Sequence, residues 1–395
     1  MEHHDAIVIG GGVIGTSIAC HLARLGAKRT LLLERGQLGG GTTAQSSCIL
    51  RTHYSVRENV VLAQAAMRVF DDIAAYLDDP EADCGYRRCG YLIVAPDGAP
   101  ADAVRASLAI ERELGIEARE LDLAEARERH PLLNYDDVAV VGWEPGGGYA
   151  DAYLTLTAFA RAARRAGAIV REGVAVTGLA RDAHGRVVGV TTATGTIGAG
   201  VVVSAQNIWS REAARWAGLA LPLTLSRHSV MTLEAETPYG RELPVVKDLA
   251  SPGRIYFRGY GGRQVLVSEG NEGVDIAEPD TGQAEVPLDE VVRVGEQLVH
   301  RMPAFGSAGL AASWTGVYDV TPDWNPVLGP VDGVPGLVLA CGFSGHGFKL
   351  SPVVGRLVAQ CALGLAPDLP LAPYALARFA ERRLLAGRYG AGAVS

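Results

Sequence analysis

The first 34 residues change from one hydrophobic pattern to another and back again. Residues 6–9 form a short apolar run with the length of a buried strand, and residues 30–33 form a second one. Between them, apolar residues recur at helical spacing from Ile14 to Leu25, and Gly26 ends the pattern. This order predicts a strand, a helix and a second strand, the βαβ unit that opens dinucleotide-binding folds.

The rest of the chain alternates predicted helices and strands without a repeat or a long linker. Helical spacing of apolar residues covers residues 58–77, 101–114 and 152–165. Strands are predicted at residues 91–94, 168–170, 173–179, 187–192, 201–205 and 337–341, and further strands within residues 221–268. A last helix is predicted to begin with Ser351 as N-cap and Pro352 in its first position. These elements predict an α/β fold with a loose tail beyond Ala386.

Composition and charge narrow the possible functions. Hydrophobic residues make up 48% of the chain and 49 of its 395 residues are glycine, which is typical of an α/β protein with many turns. The formal net charge of −8 argues against nucleic acid as a partner. The six cysteines include no C-x-x-C pair, so no metal site is expected. Because there is no basic leader and no run of about 18 apolar residues, we expect a cytoplasmic protein without a membrane span.

The first turn has the glycines of a phosphate-binding loop. Gly10 permits a tight turn, Gly12 lets the backbone approach a pyrophosphate, and Gly15 allows close packing of helix and strand. The amides at the helix N-terminus would then face the phosphates. Glu34, which ends the second predicted strand, would accept hydrogen bonds from ribose hydroxyls. The predicted cofactor-binding residues of this segment are Gly10, Gly12, Val13, Ile14, Gly15, Glu34 and Arg35.

A second glycine-rich turn, at residues 342–349, follows the predicted strand at 337–341. A nicotinamide-dependent dehydrogenase is one alternative, but such enzymes usually complete the cofactor site within one N-terminal domain. A cofactor site built from both ends of the chain favours a different cofactor.

Three segments resemble a known family. The opening VIGGGVIGTSIACHLARLG, the segment GGTTAQSSCILR and the C-terminal CGFSGHGFKLSPVVGRLVAQ resemble the D-amino-acid oxidase superfamily of FAD-dependent oxidoreductases, most nearly its sarcosine oxidase and glycine oxidase branch. The resemblance covers nearly the whole chain. It implies a Rossmann-like FAD-binding domain of the glutathione reductase type, interleaved with a mainly antiparallel substrate-binding sheet. The implied boundaries are 1–80, 150–220 and 320–365 for the FAD-binding domain, 81–149 and 221–319 for the substrate-binding domain, and 366–395 for a C-terminal helix and tail.

The resemblance also implies the positions of site residues. Gly41, Thr42 and Thr43 are expected along the pyrophosphate and flavin, and Val176 at the adenine. Further cofactor contacts are expected from Ser204, Gly342, Gly345, His346, Gly347, Phe348 and Lys349. The implied catalytic and substrate-binding residues are Arg51, Lys349, Tyr256, Tyr318 and His346, with His53 as a weaker candidate.

The chemistry of these side chains agrees with such roles. Arg51 offers a planar bidentate fork to a substrate carboxylate, and Lys349 adds a second positive charge. A reduced flavin is negative near N1, so Lys349 and the N-terminus of the helix near Pro352 would stabilise it. His346 is expected to line the flavin rather than to act as a general base.

The resemblance implies oxidation of a secondary or tertiary amine in a small amino acid, such as sarcosine, another N-methyl amino acid or proline. A hydride would pass from the carbon beside the nitrogen to flavin N5, and water would hydrolyse the imine. Two alternatives stay open. One is a D-amino-acid dehydrogenase or glycine oxidase-like enzyme that acts on a primary amine, and the other is the flavin subunit of a hetero-oligomeric dehydrogenase.

Two departures from the family pattern concern the flavin. Monomeric sarcosine oxidases attach FAD through a cysteine where this chain has Gly316, and related dehydrogenases use a histidine near Ala44 or Gln45, so we expect noncovalent FAD. The oxidases also place a lysine over the flavin in the segment that reads GGRQVLVSEG here. Its absence suggests slow reaction with dioxygen and a different electron acceptor, such as a quinone, a flavoprotein or a partner subunit.

Overall fold

The computed structural model describes residues 2–270, 273–279, 285–385 and 387–389 as a mixed α/β protein built on two large sheets. The α-helices are α1 (Val13–Arg24), α2 (Arg57–Asp71), α3 (Ile73–Leu77), α4 (Ala99–Glu113), α5 (Leu123–Arg129), α6 (Ala152–Arg165), α7 (Ser210–Ala217), α8 (Leu288–Arg301) and α9 (Gly347–Ala362). The strands are β1 (His3–Ile9), β2 (Thr30–Leu33), β3 (Ile49–Leu50), β4 (Tyr91–Ala95), β5 (Arg119–Leu121), β6 (Val140–Glu144), β7 (Gly148–Tyr149), β8 (Ile169–Arg171), β9 (Val176–Arg181), β10 (Val187–Thr192), β11 (Gly195–Ser204), β12 (Thr224–Glu234), β13 (Val245–Asp248), β14 (Tyr256–Gly259), β15 (Gln264–Ser268), β16 (Val274–Ile276), β17 (Gly309–Val320), β18 (Val327–Pro330) and β19 (Leu337–Cys341).

The first sheet brings the two ends of the chain together. Its strands follow the order β18-β19-β11-β1-β2-β8, and β10 and β9 extend it from β11. Both β1 and β19 pair with β11 in parallel, so their carboxyl ends lie at the same edge of the sheet. The glycine-rich turns that follow β1 and β19 are therefore neighbours, although they lie far apart in sequence.

Apolar residues cover both faces of this sheet. Along β1, Ala6 and Val8 contribute to one hydrophobic cluster, while Ile7 and Ile9 contribute to another. On the face of Ala6 and Val8, α1 packs against both α9 and α6. A parallel sheet that is buried on both sides explains why its strands are continuous apolar runs in the sequence.

The close approach of α1 to its neighbours depends on glycine. A Cβ at Gly15 would lie 1.8 Å from the carbonyl oxygen of Gly10, so α1 could not start where it does with any other residue there. A Cβ at Gly355 in α9 would lie 2.0 Å from the Ser17 Oγ of α1. The absence of these two side chains therefore sets the position of both helices.

The second sheet is mostly antiparallel and has two different faces. Its strands follow the order β16-β12-β15-β14-β13-β4-β6-β5, and β17 pairs with β12. On one face, Val246, Phe257 and Val267 form a hydrophobic core with α8. The opposite face presents Lys247 and Tyr256, which are directly paired across β13 and β14.

Several predicted elements are confirmed and others need correction. The opening β1, α1 and β2 follow the predicted pattern. The helix predicted over residues 58–77 is interrupted at Asp72, whose side chain accepts from the Ala75 amide and caps α3. Among the described residues of 366–395, the predicted C-terminal helix is replaced by two short 3-10 helices, Ala372–Tyr374 and Leu376–Arg378.

The last long helix begins earlier in the chain than the predicted N-cap at Ser351. Helix α9 begins at Gly347, with His346 at the N-cap position, and Pro352 lies inside it. Proline removes one helical hydrogen bond, but Leu350, Val353 and other side chains of α9 are fully buried and offset this loss. The N-terminus of α9 therefore lies within the glycine-rich turn itself.

The described part of the tail is also packed rather than loose. Tyr389 is buried, and its hydroxyl lies 2.7 Å from His53 Nε2 and 3.0 Å from Ser107 Oγ. Ala386 and residues 390–395 lie outside the described residues. Within the described chain, no helix has the length and hydrophobicity needed to cross a membrane.

We predict that Gly355→Ala destabilises the protein by about 1–3 kcal/mol, the usual cost of overpacking. The added methyl group would force α9 away from Ser17, and thermal unfolding would show a lower melting temperature. Gly309→Ala is the matched control, because no atom lies within 4 Å of a Cβ at that exposed strand position. Equal melting temperatures for the two variants would contradict the proposed packing constraint.

Candidate active site

A cavity of about 470 Å³ runs between the two glycine-rich turns and reaches the polar face of the second sheet. Most of the predicted site residues line it: Gly10, Gly12, Val13, Ile14, Glu34, Arg35, Gly41, Thr42, Thr43, Val176, Tyr256, Tyr318, Gly345, Gly347 and Phe348. Within the described chain, the predicted residues outside its wall are Gly15, Arg51, Ser204, Gly342, His346 and Lys349. The structure therefore places most of the predicted cofactor residues around one space.

Hydrogen bonds shape the first turn at one end of this cavity. The Gly11 amide donates to Glu34 Oε2 (2.6 Å) and the Gly36 amide donates to Glu34 Oε1 (2.8 Å). The Thr43 hydroxyl accepts from the Val13 amide (3.1 Å). The N-cap residue of α1 is Gly12, which has no side chain, and the first turn of the helix contains no acidic residue, so the positive end of its dipole faces the cavity.

An arginine and a tryptophan stack beside the same end. The guanidinium of Arg35 lies 3.7 Å from the ring centroid of Trp209. A Cβ at Gly41 would lie 3.4 Å from the Trp209 ring, so this glycine leaves the indole in contact with the cavity wall. Trp209 was not predicted, since a single tryptophan after an apolar strand has no distinctive sequence signal.

Asp319 ties four segments of the cavity wall together. Its carboxylate accepts from the amides of Gly342 (2.5 Å) and Phe343 (3.1 Å) and from the side chain of Asn207 (3.2 Å). The Thr42 hydroxyl in turn donates to Asn207 Oδ1 (3.1 Å). Burial raises the pKa of Asp319 to about 7 in spite of these bonds. Gly342 and Asp319 thus act as supports of the second glycine-rich turn.

The second turn packs against an aromatic ring. Gly345 has a φ of +86°, and a Cβ there would lie 2.7 Å from the ring of Tyr318. His346 follows at the N-cap of α9, and neither of its ring nitrogens has a hydrogen-bond partner in the described structure. Burial, with Lys349 and Arg51 nearby, holds the pKa of His346 well below its usual value, so the ring is neutral. Two unpartnered buried nitrogens indicate that this end of the site needs a ligand.

Arg51 and Lys349 are buried cations from opposite ends of the chain. The guanidinium of Arg51 donates to the His53 carbonyl and lies 4.3 Å from the ring centroid of Tyr54. The Tyr54 ring is 5.2 Å from the ring of His346, which precedes Lys349 by three residues. Burial and then the charge of Arg51 hold the pKa of Lys349 well below its usual value. The two predicted carboxylate-binding groups are therefore close enough to repel each other.

Two acidic residues support the segment that contains Arg51. Glu144 accepts from the Thr52 amide (2.8 Å) and hydroxyl (2.8 Å), and Glu111 lies 3.0 Å from His53 Nδ1. Burial and then Glu111 raise the pKa of Glu144. His53 therefore contacts Glu111 and Tyr389 on the far side of Arg51, and the structure places it among supporting residues rather than in the cavity.

The second sheet presents an aromatic and cationic face to the cavity. His228 stacks on Tyr318 with ring centroids 4.1 Å apart. Burial and then Tyr256 raise the pKa of Tyr318 well above its usual value, so its hydroxyl remains protonated. Lys247 lies beside Tyr256, with its Nζ 5.8 Å from the ring centroid, and donates to the Arg254 carbonyl (2.9 Å). Lys247 was missed, although a lysine in the apolar run Val245–Asp248 was a usable signal.

Two helix N-termini at one cavity, with tyrosines on its wall and the buried cations Arg51 and Lys349 outside that wall, are typical of an enzyme that depends on a nucleotide cofactor. The chain belongs to the family described as "DAO: FAD dependent oxidoreductase", whose profile matches residues 5–361. It is accordingly an FAD-dependent oxidoreductase of the amino-acid oxidase and dehydrogenase type.

Similar proteins support this assignment. The chain is 29% identical to bovine (Bos taurus) "FAD-dependent oxidoreductase domain-containing protein 1", covering 96% of this chain and 85% of that protein. It is 27% identical to human (Homo sapiens) mitochondrial sarcosine dehydrogenase, covering 95% of this chain but only 41% of that longer protein. The crystal structure of L-proline dehydrogenase from P. horikoshii superposes with a TM-score of 0.87 at 26% identity, covering 97% of this chain and 99% of that one. Glycine oxidase from Geobacillus kaustophilus gives 0.81 at 26% identity, covering 96% and 99%.

The residues around the cavity fit FAD. Glycines line the wall where a Cβ would narrow it, and neither N-cap residue, Gly12 of α1 or His346 of α9, makes a side-chain hydrogen bond to its own helix. The amides at one helix end suit a pyrophosphate, and those at the other suit the negative edge of a reduced flavin. The unpartnered nitrogens of His346 lie at the second end, where a flavin ring would complete the wall.

We predict that Asp319→Asn raises the FAD dissociation constant about tenfold or more, since a lost bond to a charged group costs about 1.5–3 kcal/mol. Asparagine would place an N–H group against one of the amides that the carboxylate now accepts. Titration of the apoprotein with FAD measures the effect through flavin fluorescence. Asp332→Asn, at an exposed turn position, serves as the control, and equal affinities for both variants would refute the role of Asp319.

Proposed function

We propose that this protein oxidises the secondary or tertiary amine of a small amino acid, of the sarcosine, N-methyl amino acid or proline type. The observation that carries the proposal is the convergence of buried Arg51 and Lys349 beside the aromatic face of the second sheet. FAD, when bound, supplies the acceptor that takes a hydride from the substrate carbon at flavin N5. Sarcosine dehydrogenase and L-proline dehydrogenase among the similar proteins support this substrate class.

The predicted domain division forms part of this proposal. The strands of the first sheet lie within residues 3–33, 169–204 and 327–341, and those of the second within 91–144 and 224–320. This distribution supports an FAD-binding domain of 1–80, 150–220 and 320–365 and a substrate-binding domain of 81–149 and 221–319. The substrate site would then lie where the two sheets face each other.

Arg51 and Lys349 have two effects on a bound amino acid. Arg51 offers a bidentate pair of N–H donors to the carboxylate, and the Lys349 ammonium adds a second contact. Their positive potential also disfavours a protonated amine, so the substrate nitrogen loses its proton on binding. The nitrogen lone pair then assists departure of the hydride from the adjacent carbon.

The tyrosines orient the substrate without removing a proton from carbon. The hydroxyls of Tyr256 and Tyr318 are donors at the inner end of the cavity, and the high pKa of Tyr318 keeps it a donor. His346 is neutral and three residues from Lys349, which suits contact with the cofactor. After oxidation the C=N bond of the imine is attacked by water, which yields a carbonyl compound and an amine.

Slow reaction with dioxygen, which we expect from a missing lysine, stays part of the proposal. Strand β15 does lack a lysine. However, Tyr256 pairs with Ser268 of β15 on one side and with Lys247 of β13 on the other, so Lys247 brings an ammonium group to the same face. Dioxygen and other acceptors are both compatible with this cationic surface.

We predict that FAD is noncovalent and that acid precipitation releases all of the flavin into the supernatant. The two positions where relatives carry a linking residue are Gly316 and the neighbourhood of Gln45, and both Gly316 and Gln45 line the cavity without a nucleophilic side chain. Burial also raises the pKa of the nearby Cys48 to about 11, so its thiol is protonated and unreactive. A yellow pellet after precipitation would refute this prediction.

Anaerobic mixing with a panel of amines tests the proposed reaction. We expect sarcosine-like, N-methyl or cyclic amino acids to bleach the flavin, and Arg51→Met or Lys349→Met to raise the half-saturating substrate concentration about 100-fold, as for loss of a buried charge contact. Lys28→Met, at an exposed position, is the control and should match the wild type. Bleaching by primary amines alone would favour the glycine oxidase-like alternative, and no bleaching by any amine would overturn the proposal.

A further inference from the structure

The buried cations of this protein differ in whether they have a carboxylate partner. Arg301, which is fully buried, pairs with Asp248 (2.8 Å) and with Asp137, and buried Arg378 pairs with Asp323 (2.8 Å). Such pairing is expected, because an unpaired charge away from water costs several kcal/mol. Among the described residues, Lys247 and Arg258 are buried but donate to backbone carbonyls instead of carboxylates.

Lys247 is only 5% exposed, and no carboxylate pairs with its Nζ in the described structure. The adjacent acid, Asp248, points to the opposite face of β13 and binds Arg301 through both carboxylate oxygens. The Lys247 ammonium donates to the Arg254 carbonyl, which leaves it two further N–H donors. Asp248 therefore cannot neutralise Lys247.

The pairing of the strands places Lys247 on the cavity side of the sheet. Lys247 of β13 pairs with Tyr256 of β14, and Tyr256 pairs with Ser268 of β15. Ser268 in turn pairs with Val230 of β12. Directly opposed residues of antiparallel strands present their side chains on the same face. Tyr256 and Val230 line the cavity, and Lys247 lies beside Tyr256 on the same face of the sheet without itself forming part of the cavity wall.

The surroundings of the ammonium leave room for it and add positive charge. A Cβ at Gly270 would lie 1.9 Å from Lys247 Nζ, so only glycine at that position leaves the space that the ammonium fills. Burial and then the charges of Arg51 and Arg254 lower the pKa of Lys247 to about 7, against a smaller opposing effect of Asp248. Lys247 thus lies within the field of Arg51, the predicted carboxylate ligand.

These contacts lead to a specific substrate class, which rests on the proposed function. Arg51 and Lys349 are sufficient for one carboxylate, which leaves the charge of Lys247 to be matched. We propose that Lys247 binds a second carboxylate of the substrate, so that the preferred substrates are N-substituted amino dicarboxylic acids. A bound dicarboxylate would supply the negative charge that the described part of the protein does not place beside Lys247.

The experiment compares unreactive acids of equal length on the FAD-loaded protein. Butyrate and succinate each have four carbons, and their binding is followed by the change in the flavin absorption spectrum. We expect succinate to bind at least about tenfold more tightly than butyrate, equivalent to one charge-assisted contact. Lys247→Met should abolish this preference by weakening succinate alone, and Lys247→Arg should retain most of it.

A second variant keeps Lys247 but fills the space that its ammonium group occupies. Gly270→Ala puts a methyl group where Nζ lies, so it should also reduce the preference for succinate even if Lys247→Met fails to fold. Lys28→Met should bind both acids as the wild type does. In the anaerobic assay, N-methylaspartate should reduce the flavin at lower concentration than N-methylalanine, and Lys247→Met should remove the difference.

Three outcomes would overturn the inference: equal binding of succinate and butyrate to the wild type, equal weakening of both acids by Lys247→Met, or a preference that Lys247→Met leaves intact. Failure of the proposed function is distinguishable from these results. If no amine reduces the flavin, amine oxidation fails while the succinate preference is still measured. If N-methylalanine reduces the flavin as readily as N-methylaspartate, only the second carboxylate site fails.

Discussion

The close contact of α1 with α9 is the constraint on which the site depends. Both helices follow strands that run parallel to β11, so both begin at the same edge of the first sheet. Gly355 of α9 lies against Ser17 of α1 with no space for a side chain. Because the helices are this close, two N-terminal dipoles act on one cavity, one suited to a pyrophosphate and the other to a reduced flavin.

The second sheet contributes side chains rather than backbone. Its strands alternate between a hydrophobic face and a face on which Tyr256 and His228 line the cavity, with Lys247 beside Tyr256. Arg51 and Lys349 are also buried, and burial together with the charge of Arg51 lowers the pKa of Lys349. Burying these cations costs stability, and in the proposed function the carboxylate of the substrate would offset that cost.

Supporting acidic residues, one in the cavity wall and one outside it, hold the segments that carry these buried groups. Asp319 accepts two amides of the second glycine-rich turn, and Glu144 holds the segment after Arg51 through Thr52. Neither acid has a recognisable motif of its own. Both acids accept hydrogen bonds from residues that are distant in the sequence, so their supporting roles are visible only in the folded structure.

The sequence by itself determined the class of protein and most of the cofactor site. The order of apolar runs and glycines predicted β1, α1 and β2, and the glycine-rich segments together with Thr42 and Thr43 predicted much of the cavity wall, since these contacts are local in the chain. Tertiary structure alone decided that α9 begins at Gly347, that Tyr389 packs on His53, and that Lys247 lies beside Tyr256. These outcomes depend on pairing between strands and on contacts between distant segments, and a local pattern of hydrophobic and polar residues does not encode which distant partner each segment meets.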